Sequence, residues 1–283
     1  MRVGYLQFAP ALGQPRRNRE RMAAALAGIE ADLIVLPELS DSGYNFRSRA
    51  ELARCAESAA ASATLALWRD LAVAAGKTGR PMTIVGGFAE RAGRRFYNSA
   101  AVVTSAGIMC VYRKAHLFGM EGHWFAPGDE PPSVVEVAGV HLGVIICFDW
   151  AFPEFARILA LCGADIICHP ANIVTSFPPQ AMITRGIENR VFTITANRVG
   201  TEEGKAGRLR FRGRSQVTSP DGDVLAASGE EEEECRVVEI DPLRARDKRL
   251  AGFTDLFAAR RPELYGRICA AATGRRRGRR TPR

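Results

Sequence analysis

The chain of 283 residues predicts an α/β fold in which sheets are covered by helices on their outer faces. Three observations predict it. Strand-like runs alternate with helical stretches along most of the length. Several of those runs, such as LIVLP (33–37) and GVIIC (143–147), are apolar at nearly every position, the pattern of strands buried on both faces. Other connections are short turns, among them SPDGDV (219–224), whose Pro-Asp-Gly suits a hairpin. No linker, composition shift or repeat interrupts the pattern before residue 250. One domain over residues 1–270 is expected, followed by a basic, disordered tail, 271–283.

Taken in order, VGYLQFA (3–9) opens as a strand, and RRNRERMAAALAGIE (16–30) places apolar residues at three- and four-residue steps, as a helix does. LIVLPE (33–38) is the next strand and ATLALWRDLAVAAG (63–76) the next helix. MTIVGGFAE (82–90), SAAVVT (99–104) and a strand ending at VYR (111–113) follow. LGVIIC (142–147) leads into a helix over 153–162, opened by Pro153, whose missing N–H is harmless in a first turn. ADIICH (164–169), a helix over 179–191, VFTITAN (191–197), SQVTSP (215–220) and CRVVEI (235–240) complete the series.

The bulk numbers exclude several classes. No apolar run approaches the roughly 18 residues of a membrane span, and MRVGYLQF lacks the pattern of a signal peptide, so a cytoplasmic protein is expected. The formal charge is +8, but the last thirteen residues hold six arginines and no acid, leaving about +2 for the rest. No aromatic-interleaved basic face argues for specific nucleic-acid binding. The tail reads as a solvated terminus or as one attracted to polyanions, or to a surface like the glutamate run Glu230–Glu234. Seven scattered cysteines show no disulfide framework and no C-x-x-C spacing. Cys162, Cys168 and His169 fall on a helix end and the next strand, so no metal site is expected.

The chemistry concentrates at strand exits, where loops of α/β folds converge. Cys147 ends the buried run VIIC, and a nucleophilic thiol needs a base. His141 opens that same strand, about 20 Å away along an extended chain, and is excluded. His169 ends the next strand, but a histidine before proline at a strand exit fits a hydrogen-bonded structural group better. Glu38, after LIVLP, is either a partly desolvated proton carrier or a loop cap. VYRKAHLFGMEGHWFAPGD carries Lys114 and Glu121 past a third exit, where a lysine can stabilise an oxyanion and favour a thiolate.

PEL, YRKAHLF and ICFDWAFPE, in this order, resemble the motifs of the nitrilase superfamily of carbon–nitrogen hydrolases. The resemblance extends from GYLQFAP through GFAE, YNSAAVV, FAPGD and HPAN to RGIENRVFTITANRVG and the strand before DPL. It implies a four-layer αββα sandwich, a Glu38–Lys114–Cys147 triad, a further glutamate at Glu121, no cofactor, and pairing into a homodimer or higher homo-oligomer. Glu38 would take the thiol proton as sulfur attacks, Lys114 and the Phe148 backbone N–H would receive the oxyanion, and water would release the acid from a thioester. A helix starting at Pro153 would add its positive end in favour of the thiolate. Tyr44, Trp124, Phe148, Trp150 and Asn172 are candidates for the pocket wall. Asp149 reads as ordering the turn, Glu188 and Arg190 as a structural ion pair or interface feature, and Arg157 as a poor carboxylate ligand. Nitrile-attacking members tend to carry Trp–Glu after the cysteine. Phe148–Asp149 here favours small aliphatic amides, with nitriles next and N-carbamoyl amino acids third. A binding module that keeps the triad without using it is the non-enzymatic alternative.

Overall fold

The computed structural model describes residues 1–77, 79 and 81–270; the expected basic tail, 271–283, lies outside the described residues. In chain order the main elements are β1 (Arg2–Gln7), α1 (Pro15–Leu26), β2 (Leu33–Val35), α2 (Arg49–Cys55), α3 (Ala63–Lys77), β3 (Thr83–Ala92), β4 (Arg95–Thr104) and β5 (Gly107–Arg113). They continue with β6 (Val134–Val137), β7 (Val140–Val144), α4 (Pro153–Leu161), β8 (Ile166–Pro170), α5 (Pro178–Asn189) and β9 (Phe192–Ala196). A hairpin of β10 (Thr201–Gly204) and β11 (Gly207–Arg210), then β12 (Gln216–Thr218), β13 (Val224–Ala227) and β14 (Glu234–Glu239), complete the first compact unit, Met1–Asp247. A second unit begins at Lys248, and its first element is a short antiparallel pair, β15 (Arg249–Leu250) with β16 (Thr254–Asp255). No helix among the described residues is long and apolar enough to cross a membrane.

Two mixed six-stranded sheets carry the first unit, ordered β14-β1-β2-β3-β4-β5 and β13-β12-β9-β8-β7-β6. Parallel pairing joins β1, β2 and β3 in one sheet and β7, β8 and β9 in the other, so the C-terminal ends of these strands gather on one edge. Side chains alternate as the pleat requires. Val3, Leu33, Val35, Val85 and Val102 face Leu142, Val144, Ile166, Cys168, Phe192 and Ile194 across the space between the sheets. The alternate residues Leu6, Ile34, Ile84 and Ala101 pack outward with Met22 and Leu26 of α1 and Leu65 and Trp68 of α3. On the other sheet, α4 lies so close that a Cβ on Gly143 would stand 2.9 Å from Leu159 Cδ1. These layers make the expected αββα sandwich. Removing a buried side chain as large as Trp68 from such a layer costs about 3–5 kcal/mol.

The differences from the sequence-based elements have local causes. Helix α1 stops at Leu26 rather than residue 30 because Gly28 takes φ +74°. α2 was not expected; it is seven residues long, capped by Ser48 Oγ accepting from Glu51 N at 3.2 Å. The charged hairpin β10–β11 was also not expected. The Glu230–Glu234 run is engaged by arginines of the same unit: Glu231 by Arg210 (2.7 Å), Glu233 by Arg21 (2.6 Å) and Glu234 by Arg236 (2.8 Å).

Candidate active site

Two exits of the first sheet and one turn of the second converge. After β2, Leu36 N donates to Val85 O (2.7 Å) and Gly87 N to Pro37 O (3.0 Å), which carries Glu38 across β3. Only glycine permits that crossing, since a Cβ on Gly87 would lie 2.5 Å from Glu38 Cα. After β5, Lys114 N donates to Asn98 O (2.8 Å) and Lys114 O accepts from Gly128 N (2.9 Å). The FAPGD loop thereby clamps the lysine, and a Cβ on Gly128 would meet Arg113 O at 2.2 Å.

Lys114 Nζ donates to Glu38 Oε1 and to Glu121 Oε1, each at 2.7 Å, and all three side chains are buried. Asn98 Nδ2 also donates to Glu38 Oε1 (2.6 Å), and Tyr44 OH to Glu121 Oε1 (2.7 Å). The second oxygens, Glu38 Oε2 and Glu121 Oε2, are buried without a protein hydrogen-bond partner. Burial works against the Lys114 charge, but the two carboxylates outweigh it and raise its pKa. Glu121 is pushed up to about 7 by burial, helped by Glu38 and opposed by Lys114 and Tyr44.

Cys147 heads a 3-10 turn, Cys147–Ala151, just past β7. Its φ of 41° is left-handed for a residue with a Cβ, a conformation that costs roughly 1–2 kcal/mol. Asp149 holds the turn. Its Oδ2 accepts from Ile146 N (2.9 Å) and Tyr112 OH (2.7 Å), and its Oδ1 from His116 N (3.1 Å) and His116 Nδ1 (2.8 Å). Because Tyr112 and His116 flank Lys114 by two residues each way, this one carboxylate staples the cysteine turn to the lysine segment. Burial and the Glu38 charge push the Cys147 thiol well above its ordinary pKa, while Lys114 and the backbone N–H of Asn172 pull it down. Helix α4 begins at Pro153, where the sequence placed it, but burial is the largest influence on the thiol and raises its pKa.

His169 is not a base for Cys147. Its Nε2 meets Cys147 O (3.0 Å), its Nδ1 meets Thr195 Oγ1 (3.1 Å), and burial lowers its pKa to about 4. His141 is half-buried at the start of β7 beside Glu136 and Asp165. Glu188 and Arg190 do not pair with each other. Arg190 leaves the helix line at φ 50° and binds Asp221, whereas Glu188 pairs with Arg185 at 2.8 Å. Arg157 donates to Glu188 O at 2.7 Å, away from the cavities described next.

A cavity of about 180 Å³ is lined by Cys147, Phe148, Trp150, Asn172, Phe118 and Phe177. A neighbouring one of about 120 Å³ is lined by Tyr44, Glu121, Trp124, Asn172, Phe118 and Leu209, among others. All five pocket residues expected from sequence thus border one or the other. Phe148 packs on Phe118 (ring centroids 5.1 Å) and Trp150 on Phe177 (5.7 Å). A third cavity of about 190 Å³, between Glu90, Tyr112, Arg113 and Asp129, touches neither Cys147 nor Glu38.

Sequence reading missed three supports. Asn98 fixes Glu38, and its only trace was an asparagine inside the apolar run YNSAAVV. Buried Arg198 pairs with Glu202, stacks over Phe211 at 4.1 Å, and donates to Pro10 O (3.0 Å). Glu202 Oε2 in turn accepts from Tyr44 N (3.1 Å) and Asn45 N (2.8 Å), so the β10–β11 hairpin holds the loop whose tyrosine reaches Glu121. The signal was an arginine directly after a buried strand, in NRVGTEE.

Residues 2–249 match the family model for carbon–nitrogen hydrolases, and the chain belongs to that family, within the nitrilase superfamily. Among relatives, a nitrilase of Pyrococcus abyssi is 43% identical over 270 residues, 94% of this chain and 100% of the relative. An (R)-stereoselective amidase of Pseudomonas sp. is 35% identical over 85% of each chain. The amidase from Nesterenkonia sp. AN1, in a mutant form showing the result of Michael addition of acrylamide at the active-site cysteine, superposes with a TM-score of 0.79. It is 25% identical, covering 95% of this chain and 99% of that one. The protein is accordingly a carbon–nitrogen hydrolase, an amidase or a nitrilase.

Proposed function

We propose that the protein hydrolyses small amides to acid and ammonia through a Cys147 thioester, with Glu38, Lys114 and Cys147 as the reacting groups. The observation that carries this reading is the state of Glu38: one oxygen is fixed by Lys114 and Asn98, while the other is buried and unpartnered, and the Glu38 charge helps burial raise the pKa of the Cys147 thiol. Glu38 Oε2 takes the Cys147 proton as sulfur attacks the amide carbon. The carbonyl oxygen, now negative, is received by Lys114 Nζ and the Phe148 N–H. Glu38 returns its proton to the departing ammonia, then draws one from the water that attacks the thioester. Glu121 keeps Lys114 in place and offers Oε2 to the substrate. The cavities are small and largely apolar, which suits small substrates.

Nitrile hydrolysis is the second reading, favoured by the 43% identity to a relative named a nitrilase. Ammonia release from aliphatic amides, matching nitriles and N-carbamoyl amino acids, with Cys147→Ala as blank, separates the readings. Turnover of amides alone is the expected result; nitrile turnover without amide turnover overturns it. For assembly we propose a homodimer through α4 and α5, whose exposed Ile158, Leu161 and Ile187 would be covered; a monomer by light scattering refutes this.

A further inference from the structure

The side chain of Asn172 has two duties to fill and no protein group that fills them. Its Nδ2 and Oδ1 are both buried without a hydrogen-bond partner in the protein, and the residue is only 4% exposed. It borders both cavities, the one at Cys147 and the one at Glu121. The other polar atoms of the site suffice for the reacting amide itself: Lys114 serves its oxygen, and Glu38 Oε2 and Glu121 Oε2 serve its N–H groups. On the Cys147 side of Asn172 the wall is mostly apolar, with Phe118, Phe148, Trp150, Val174 and Phe177, and Thr175 the one other polar side chain besides the cysteine. An alkyl acyl chain packed there leaves one buried donor and one buried acceptor unsatisfied, and such groups discriminate strongly against ligands that cannot pair with them.

We infer that Asn172 selects the acyl part of the substrate, and that the preferred amides carry, besides the scissile bond, a second uncharged group that both donates and accepts a hydrogen bond, such as a hydroxyl or a second carboxamide. This rests on the amide reading above and narrows its substrate class. A carboxylate would satisfy Nδ2 alone and add negative charge beside Glu38 and Glu121, while an ammonium would satisfy Oδ1 alone.

The test compares kcat/KM for near-isosteric pairs: butanamide with 3-hydroxypropanamide, isobutyramide with lactamide, and isovaleramide with malonamide. In the wild type the polar member of at least one pair is favoured by roughly ten- to a hundred-fold. In Asn172→Leu that ratio falls to near one or below. If the leucine variant loses its melting transition, Asn172→Ala supplies the same comparison. Wild-type turnover with no preference for any polar member, or a preference untouched by the substitutions, overturns the inference alone. A wild type silent toward every amide overturns the amide reading and this inference with it.

Discussion

Replacing Asp149 by asparagine removes charge without removing bulk, and the structure bounds the cost. Four donors converge on the two carboxylate oxygens, two on each. Asparagine keeps one oxygen, so two donors must face an NH₂ group. Turned toward Ile146 N and Tyr112 OH, that NH₂ can donate to the tyrosine oxygen if the hydroxyl rotates, but Ile146 N stays buried and unpaired. Turned the other way, it faces His116 N and the imidazole. Hydrogen bonds to a charged group contribute about 1.5–3 kcal/mol each. Losing one outright and weakening the rest predicts a destabilisation of roughly 2–4 kcal/mol, or a Tm lower by about 5–12 °C for a chain of this size. The loosened staple also shifts Lys114 relative to Cys147, so kcat falls by about tenfold or more while KM changes less. Thermal melts and steady-state kinetics on Asp149→Asn check both. A Tm within 2 °C of wild type (~1 kcal/mol or less) together with an unchanged kcat would refute the staple.

Three further outcomes follow from the geometry. Gly87→Ala drives a Cβ against the Glu38 backbone and costs about 1–3 kcal/mol with a loss of most activity, whereas Gly76→Ala in α3, where a Cβ meets nothing, leaves activity intact in the same assays. Asp41 is pushed up to about 7, chiefly by burial. Its proton is held more tightly in the folded state, so its contribution to stability is full below about pH 4 and fades as pH rises toward 7, by up to about 1.4 kcal/mol per pH unit. Asp41→Asn should therefore gain on the wild type across that window in urea denaturation, and parallel profiles would contradict the assignment. Finally, a small neutral alkylating agent such as iodoacetamide should modify Cys147 in a Glu38-dependent way, at least tenfold slower in Glu38→Gln. Exposed Cys162 reacts alike in both proteins, as peptide mass spectrometry will show.

The legible parts of the chain were those where one physical signal dominated. LIV and VIIC are apolar on both faces, and the sandwich buries both faces. Pro153 marks the first turn of α4 as expected. The strand exits bearing Glu38, Lys114 and Cys147 stood out because polar residues follow apolar runs abruptly. The β10–β11 hairpin did not stand out, because TEEGKAGRLR has the composition of a loop and only Glu202 is buried. Asn172 and Glu121 gave no hint of being buried, since polarity alone predicts exposure. Arg190 broke from Glu188 because its left-handed backbone redirects the side chain, which helical spacing cannot anticipate.

The division of the site between layers bears on how the protein reaches its working state. Glu38, Asn98 and Lys114 come from one sheet, and Cys147 and Asn172 from the other, with the Asp149 staple spanning the seam. Neither sheet alone holds both the proposed nucleophile and its proposed base. During refolding, catalytic competence should appear only with docking of the two sheets, after most secondary structure has formed, because such long-range pairings are the slow step in folds of this kind. The hydrolytic activity is then a reporter of the last packing event rather than of collapse, and a chain halted before docking would be rich in strands and helices yet chemically silent.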